Sequence, residues 1–130
     1  MTLAPPVSRV NLYLSCLELA NTDVLSKSDP QIFVFLKSSR TNNIWTEVGR
    51  TETVNNSLAP TFTTPIALDY FFEELQYVRF MVMDVDSDKT TSVFDHDFLG
   101  HFESTLAQIV CGSKVTRKYF ILNPPNNEKF

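Results

Sequence analysis

From Val10 to Cys16 apolar and polar side chains alternate, with Val10, Leu12, Leu14 and Cys16 on one side and Asn11, Tyr13 and Ser15 on the other. A period of two puts one of those sets on the buried face of a strand. A loop follows and ends at Asp29-Pro30, where the proline disfavours helix for the residue before it. Ile32, Val34 and Leu36 then alternate with Gln31, Phe33, Phe35 and Lys37 in a second strand. A turn over Ser38 to Asn43 leads to a third strand from Ile44 to Thr53, and the turn NNSLAP to a fourth from Thr61 to Leu68. Asp69 to Leu75 is expected to make one helical turn, after which Val78, Phe80 and Val82 mark a fifth strand. Beyond an acidic stretch, Phe98 to Thr105 reads as a sixth strand, Leu106 to Val110 as a short helix and Thr116 to Leu122 as a seventh strand. Seven short strands joined by polar turns predict an all-β antiparallel sandwich. The domain is expected over residues 7–123, with 124–130 as a tail, the start of a linker or of an eighth strand.

Composition narrows what such a sandwich can do. A chain of 130 residues with 43% hydrophobic content and eleven Phe is one domain with one core. No apolar run approaches the roughly 18 residues of a membrane span. The leading MTLAPPVSR lacks the charged, apolar and small-residue regions of a secretory signal, which predicts a cytosolic protein. A net charge of −4 argues against nucleic acid, which favours a basic face. It does not argue against membranes if bound metal reverses the local sign. Cys16 and Cys111 are too few for a disulfide framework and lack metal-ligand spacing, so two reduced thiols are expected.

The acidic stretch is where chemistry concentrates. Asp84, Asp86 and Asp88 stand at every second position, Asp95 and Asp97 close the loop, and Lys89 is the one cation among them. Like charges at ~4 Å with an effective dielectric of ~20 repel by roughly 4 kcal/mol per pair. Such a loop calls for protonation or a cation, and Ca²⁺ takes about six to eight oxygen ligands in tolerant geometry. A solvated acidic loop is the plain alternative. An EF-hand fits poorly, because the glycine of its sixth position is Lys89, its last ligand is Asp95 in place of Glu, and a strand precedes it. A phosphatase D-x-D nucleophile would need several more strand and helix units than the remaining residues hold. In a sandwich, loops at one end cluster, so the acidic stretch can meet the loop after the first strand, which carries Asp23 and Asp29.

These residues resemble a known family. Asp23, then Asp29-Pro30, Pro60-x-Phe62, Asp84-x-Asp86 and Asp97-x-Leu99-Gly100 look like a C2 domain, and LSKSDP, RTE, DYFFEEL, DFLG and TLAQIV look like the first C2 domain of a copine. The resemblance implies an eight-stranded antiparallel C2 β-sandwich of the type II arrangement, whose last strand comes at the tail. It implies Ca²⁺ bound by Asp23, Asp29, Asp84, Asp86 and Asp97, followed by docking to anionic phospholipid of the phosphatidylserine kind. Asp97 is preferred to Asp95 because it lies in the D-x-L-G match, and Asp88 is a peripheral acid. Copines continue into a second C2 domain and a von Willebrand A-like domain, so this chain is expected to be an excised domain or a short member. One departure concerns the middle loop, where the family's Asn-Pro is Ala59-Pro60 and a bracing polar side chain is lost.

The overall expectation is a non-catalytic, cytoplasmic module that moves to the inner membrane surface when calcium rises. A calcium-independent module that binds protein targets is the alternative, and an enzyme is disfavoured because no paired nucleophile and base or glycine-rich phosphate loop is visible. Val24 and Leu25 beside Asp23, with Val93 and Phe94 in the acidic loop, are candidate membrane contacts; ordinary loop packing is the other reading. Lys37, Arg40, Arg50 and Arg79 read as scattered surface cations more readily than as a basic patch. His96, His101 and Trp45 read as packing or hydrogen-bonded residues.

Overall fold

Two sheets form because two groups of alternating strands each carry an apolar face. The computed structural model describes residues 7–19, 27–85, 96–112 and 118–122. Its strands are β1 (Val7–Cys16), β2 (Pro30–Lys37), β3 (Thr46–Arg50), β4 (Ile66–Phe71), β5 (Tyr77–Asp84), β6 (Asp97–Thr105) and β7 (Lys118–Leu122), with a short helix α1 (Leu106–Gly112) between the last two. One sheet has the order β4-β1-β7 and the other β3-β2-β5-β6. All pairings are antiparallel except that of β1 with β7, which is parallel. The tail falls outside the described residues.

The predicted inward set forms the core. Val10, Leu12, Leu14 and Cys16 of β1 pack with Ile66 and Leu68 of β4, Ile32 and Val34 of β2, and Val78, Phe80 and Val82 of β5, closed by Phe62, Leu99, Leu106 and Ile109. Each fully buried Phe, Leu or Ile here contributes roughly 1.5–3 kcal/mol of transfer free energy. Burial pushes the Cys16 thiol up to about 12, so it behaves as a small apolar side chain, while Cys111 at the end of α1 is exposed. The outward set of the four-stranded sheet also packs. Phe33, Met81 and Met83 are buried in a second cluster flanked by Phe35, Val85 and Phe98. The Arg50 guanidinium lies 4.6 Å from the centroid of the Phe33 ring, and His96 stacks on it at 6.0 Å.

DYFFEEL does not form the expected helical turn. Asp69, Tyr70 and Phe71 extend β4, paired with Arg9, Ser8 and Val7. The buried Gln76 side chain accepts from Phe71 N–H at 3.0 Å and donates to Asp69 O at 2.9 Å. Those bonds fix an extended backbone, and a tight turn closed by Glu74 N–H on Phe71 O then reaches β5.

Glu52 staples the crossing from one sheet to the other. Its carboxylate accepts from Thr63 N–H at 2.7 Å, Thr63 Oγ1 at 2.9 Å and Thr64 N–H at 3.1 Å. Partial desolvation raises its pKa, but bonds from the backbone of Thr63, Glu52 and Thr64 and from the Thr63 hydroxyl outweigh that and lower it from 4.5 to about 2. A carboxylate whose folded pKa is depressed stabilises the fold fully above its unfolded pKa and loses that contribution as pH falls through the folded value. Glu52→Gln should therefore cost roughly 1–2 kcal/mol at pH 7, allowing for partial exposure. It should also flatten the fall in stability between pH 4.5 and about 2, as read by urea denaturation across that range.

Candidate functional site

Sheet register, not sequence proximity, brings the acids together. Pro30 pairs with Asp84 across β2 and β5, and Asp84 pairs with Asp97 across β5 and β6. The start of β2, the end of β5 and the start of β6 therefore lie side by side at one end of the sheet, with neighbouring strands ~4.8 Å apart. A register shift between Val82 and Met83 sets this alignment, because Val82 pairs with Gly100 and Met83 with Phe98, leaving Leu99 as the extra residue. Leu99 joins the core and Phe98 the outer cluster. Bulges of this kind re-aim the side chains next to them.

Asp84 is buried at 8% exposure, and its Oδ1 accepts from Asp29 N–H at 2.9 Å. Asp29 is half-buried. Its carbonyl accepts from Val85 N–H at 3.0 Å, and its Oδ1 accepts from Asn56 N–H at 2.6 Å. Asp97 is exposed at the edge. Interlocking the two acids through backbone amides keeps both carboxylates ordered. Hard carboxylate oxygens held at the bases of two loops suit Ca²⁺ in donor type. Among the described residues no three His, Cys, Asp or Glu side chains converge closely enough to hold a metal alone. Of the five expected ligands, Asp29, Asp84 and Asp97 stand at neighbouring strand ends, and Asp23 and Asp86 lie outside the described residues. So do Asp88, Asp95, Val24, Leu25, Val93 and Phe94.

The remaining candidates take structural places. Arg40, Arg50 and Arg79 pair with Glu74, Glu47 and Glu103, while Lys37 and Arg79 lie over the Trp45 ring at 5.1 and 4.2 Å. Three of these four cations are thus paired with carboxylates. His101 packs near Phe98 at 6.1 Å between centroids, as His96 does against Phe33.

The middle loop holds what the sequence did not show. Ala59 has no polar side chain to offer, yet residues 54–60 are bonded to Cys16 and Leu19 on one side and to Ser28 and Pro30 on the other, with Asn56 bonded to both Asp29 and Lys27. Two adjacent asparagines in NNSLAP were the available signal, since asparagine tolerates the left-handed conformation that Asn56 adopts at φ 55°.

Comparison with known proteins agrees with the fold. A family model described as the C2 domain matches residues 10–122. Nicotinic receptor-associated protein 1 of Caenorhabditis briggsae is 44% identical over 120 residues, which cover 81% of this chain and 19% of that protein. Copine-A of Dictyostelium discoideum is 41% identical over 110 residues, covering 85% of this chain and 17% of that protein. The chain spans about a fifth of the length of these curated relatives. Among solved structures, human GIVD cytosolic phospholipase A2, in complex with methyl gamma-linolenyl fluorophosphonate inhibitor and terbium chloride, aligns with a TM-score of 0.57 at 16% identity. That alignment covers 79% of this chain and 14% of the other, and it is a likeness of fold.

Proposed function

We propose, from the premise that this chain belongs to the C2 domain family, that it binds Ca²⁺ through Asp23, Asp29, Asp84, Asp86 and Asp97 and then docks to anionic phospholipid. The observation that carries the reading is the lock between Asp29 N–H and the buried Asp84 carboxylate, with Asp97 paired beside it. It orders acids that repel one another, an arrangement a cation relieves. Ca²⁺ and phospholipid binding are general roles of C2 domains, and similarity to a copine supports them here.

In this reading the chain's residues do three things. Asp29 and Asp84 fix the floor of the site. Asp23, Asp86 and Asp97 supply charge from the loops and the sheet edge. Val24, Leu25, Val93 and Phe94 enter the headgroup region, where a buried CH₂ contributes about 0.8 kcal/mol. Bound Ca²⁺ supplies positive charge and coordination positions for phosphate oxygens; two ions would offset four of the five ligand charges. The chain is then a non-catalytic module of the cytoplasm that moves to the inner membrane surface as calcium rises.

A second reading, a calcium-independent module for protein targets, is favoured by the exposure of Ile44 at 62%, Phe72 at 68% and Leu75 at 59%. Sedimentation with phosphatidylserine-containing vesicles separates the two. Pelleting should require Ca²⁺, vanish with chelator and weaken as salt rises, because screening shortens to about 8 Å at physiological ionic strength. Equal pelleting with and without chelator would reject the calcium step, and no pelleting in either condition would favour the protein-binding reading.

A further inference from the structure

The segment 54–60 straps both stems of the loop that carries Asp23 and Asp29. On the outgoing stem, Cys16 N–H donates to Pro60 O at 2.9 Å and Leu19 N–H to Leu58 O at 3.0 Å. On the returning stem, Val54 N–H donates to Pro30 O at 3.0 Å and Ser57 N–H to Ser28 O at 2.8 Å. Asn56 bonds in both directions. Its N–H donates to Asp29 Oδ1 at 2.6 Å, and its side-chain Oδ1 accepts from Lys27 N–H at 2.8 Å.

We propose that Asn56 is the positioning residue of the metal site, acting through Asp29 without itself being a ligand. The proposal rests on the calcium reading above. A short amide bond to one carboxylate oxygen fixes the Asp29 rotamer before a cation arrives, and the bond from Lys27 holds the backbone that leads into it. Ordering a ligand in advance lowers the entropy lost on binding, and partners that orient metal ligands commonly change affinity 10–100-fold. The left-handed backbone at Asn56 is what turns its N–H toward Asp29 while its side chain reaches back to Lys27. Most side chains adopt that conformation with strain, asparagine and glycine with little. Asn56 thus braces the loop from three residues before Ala59, which has no polar side chain.

Two substitutions separate the parts of this role. Asn56→Ala disfavours the left-handed turn and with it the amide bond to Asp29. Asn56→Gly keeps the turn and the N–H but removes the acceptor for Lys27. Calorimetric titration with CaCl₂ should show at least tenfold weaker binding for Asn56→Ala and a smaller loss, about threefold, for Asn56→Gly. Glu52→Gln serves as a control for general destabilisation and should leave calcium affinity within twofold. In the metal-free protein, amide exchange at Lys27 should speed at least tenfold in Asn56→Gly. A calcium affinity for Asn56→Ala within twofold of the unsubstituted chain overturns the proposal, as does an unchanged Lys27 exchange rate in Asn56→Gly. If Asn56→Ala does not fold, unchanged affinity in Asn56→Gly does the same. Absence of calcium binding by the unsubstituted chain removes the calcium reading itself, an outcome distinct from a failure confined to Asn56.

Discussion

Asp84→Asn should weaken Ca²⁺ binding by roughly 50–100-fold while leaving the metal-free fold at least as stable as the unsubstituted chain. The amide oxygen of Asn keeps an acceptor for Asp29 N–H, so the floor of the site retains its shape. What disappears is one unit of charge. A dication and a carboxylate ~4 Å apart at an effective dielectric of ~20 attract by about 8 kcal/mol gross. Desolvation offsets most of that, and if about a third survives, the loss is the ~2–3 kcal/mol that corresponds to the stated fold-change. Without calcium the same substitution removes a buried negative charge that repels Asp29 and Asp97, so the melting temperature should hold or rise. Asp88→Asn should have much less effect on binding, since Asp88 has no counterpart in the C2 motif that Asp84 and Asp86 match. If Asp88→Asn abolished binding and Asp84→Asn spared it, the ligand assignment would be wrong.

Saturating Ca²⁺ should raise the melting temperature by roughly 10 °C. A ligand present at 100 times its Kd that binds only the folded state stabilises it by about 2.7 kcal/mol, and a domain of this size gains about 3–5 °C per kcal/mol. Relief of repulsion among the acids is part of the same free energy, because without calcium the floor carries Asp29, Asp84 and Asp97 unneutralised. Mg²⁺ should give a smaller shift, since it demands near-octahedral geometry and gives up water reluctantly. Differential scanning fluorimetry with each cation and with chelator reads this directly, and equal shifts from both ions would point to nonspecific screening.

Alternation was a good guide where one face alone is buried. In β1 the parity of Val10, Leu12, Leu14 and Cys16 identified the core side without any partner in view. It understated β2 and β5, whose outward residues Phe33, Met81 and Met83 are also buried. Phe33 is covered by Arg50 and His96, residues well separated from it in sequence, so no local pattern announces its burial. DYFFEEL misled for a related reason. Its spacing suits a helical turn, but β1 pairing and the Gln76 side chain claim its backbone. At the site, Asp29, Asp84 and Asp97 were legible as acids next to strand ends and by likeness to a motif. Their alignment came from register, including the bulge at Leu99, which a linear sequence does not display. Asn56 was legible only as a turn residue, because both of its partners lie nearly thirty positions away.

Calorimetric titration of this chain with CaCl₂ should give a saturable heat, with dissociation constants between about 10⁻⁷ and 10⁻³ M as found across calcium modules, and Asp84→Asn should strongly weaken the binding. No heat of binding up to millimolar Ca²⁺, or an isotherm unchanged by Asp84→Asn, would contradict the calcium reading.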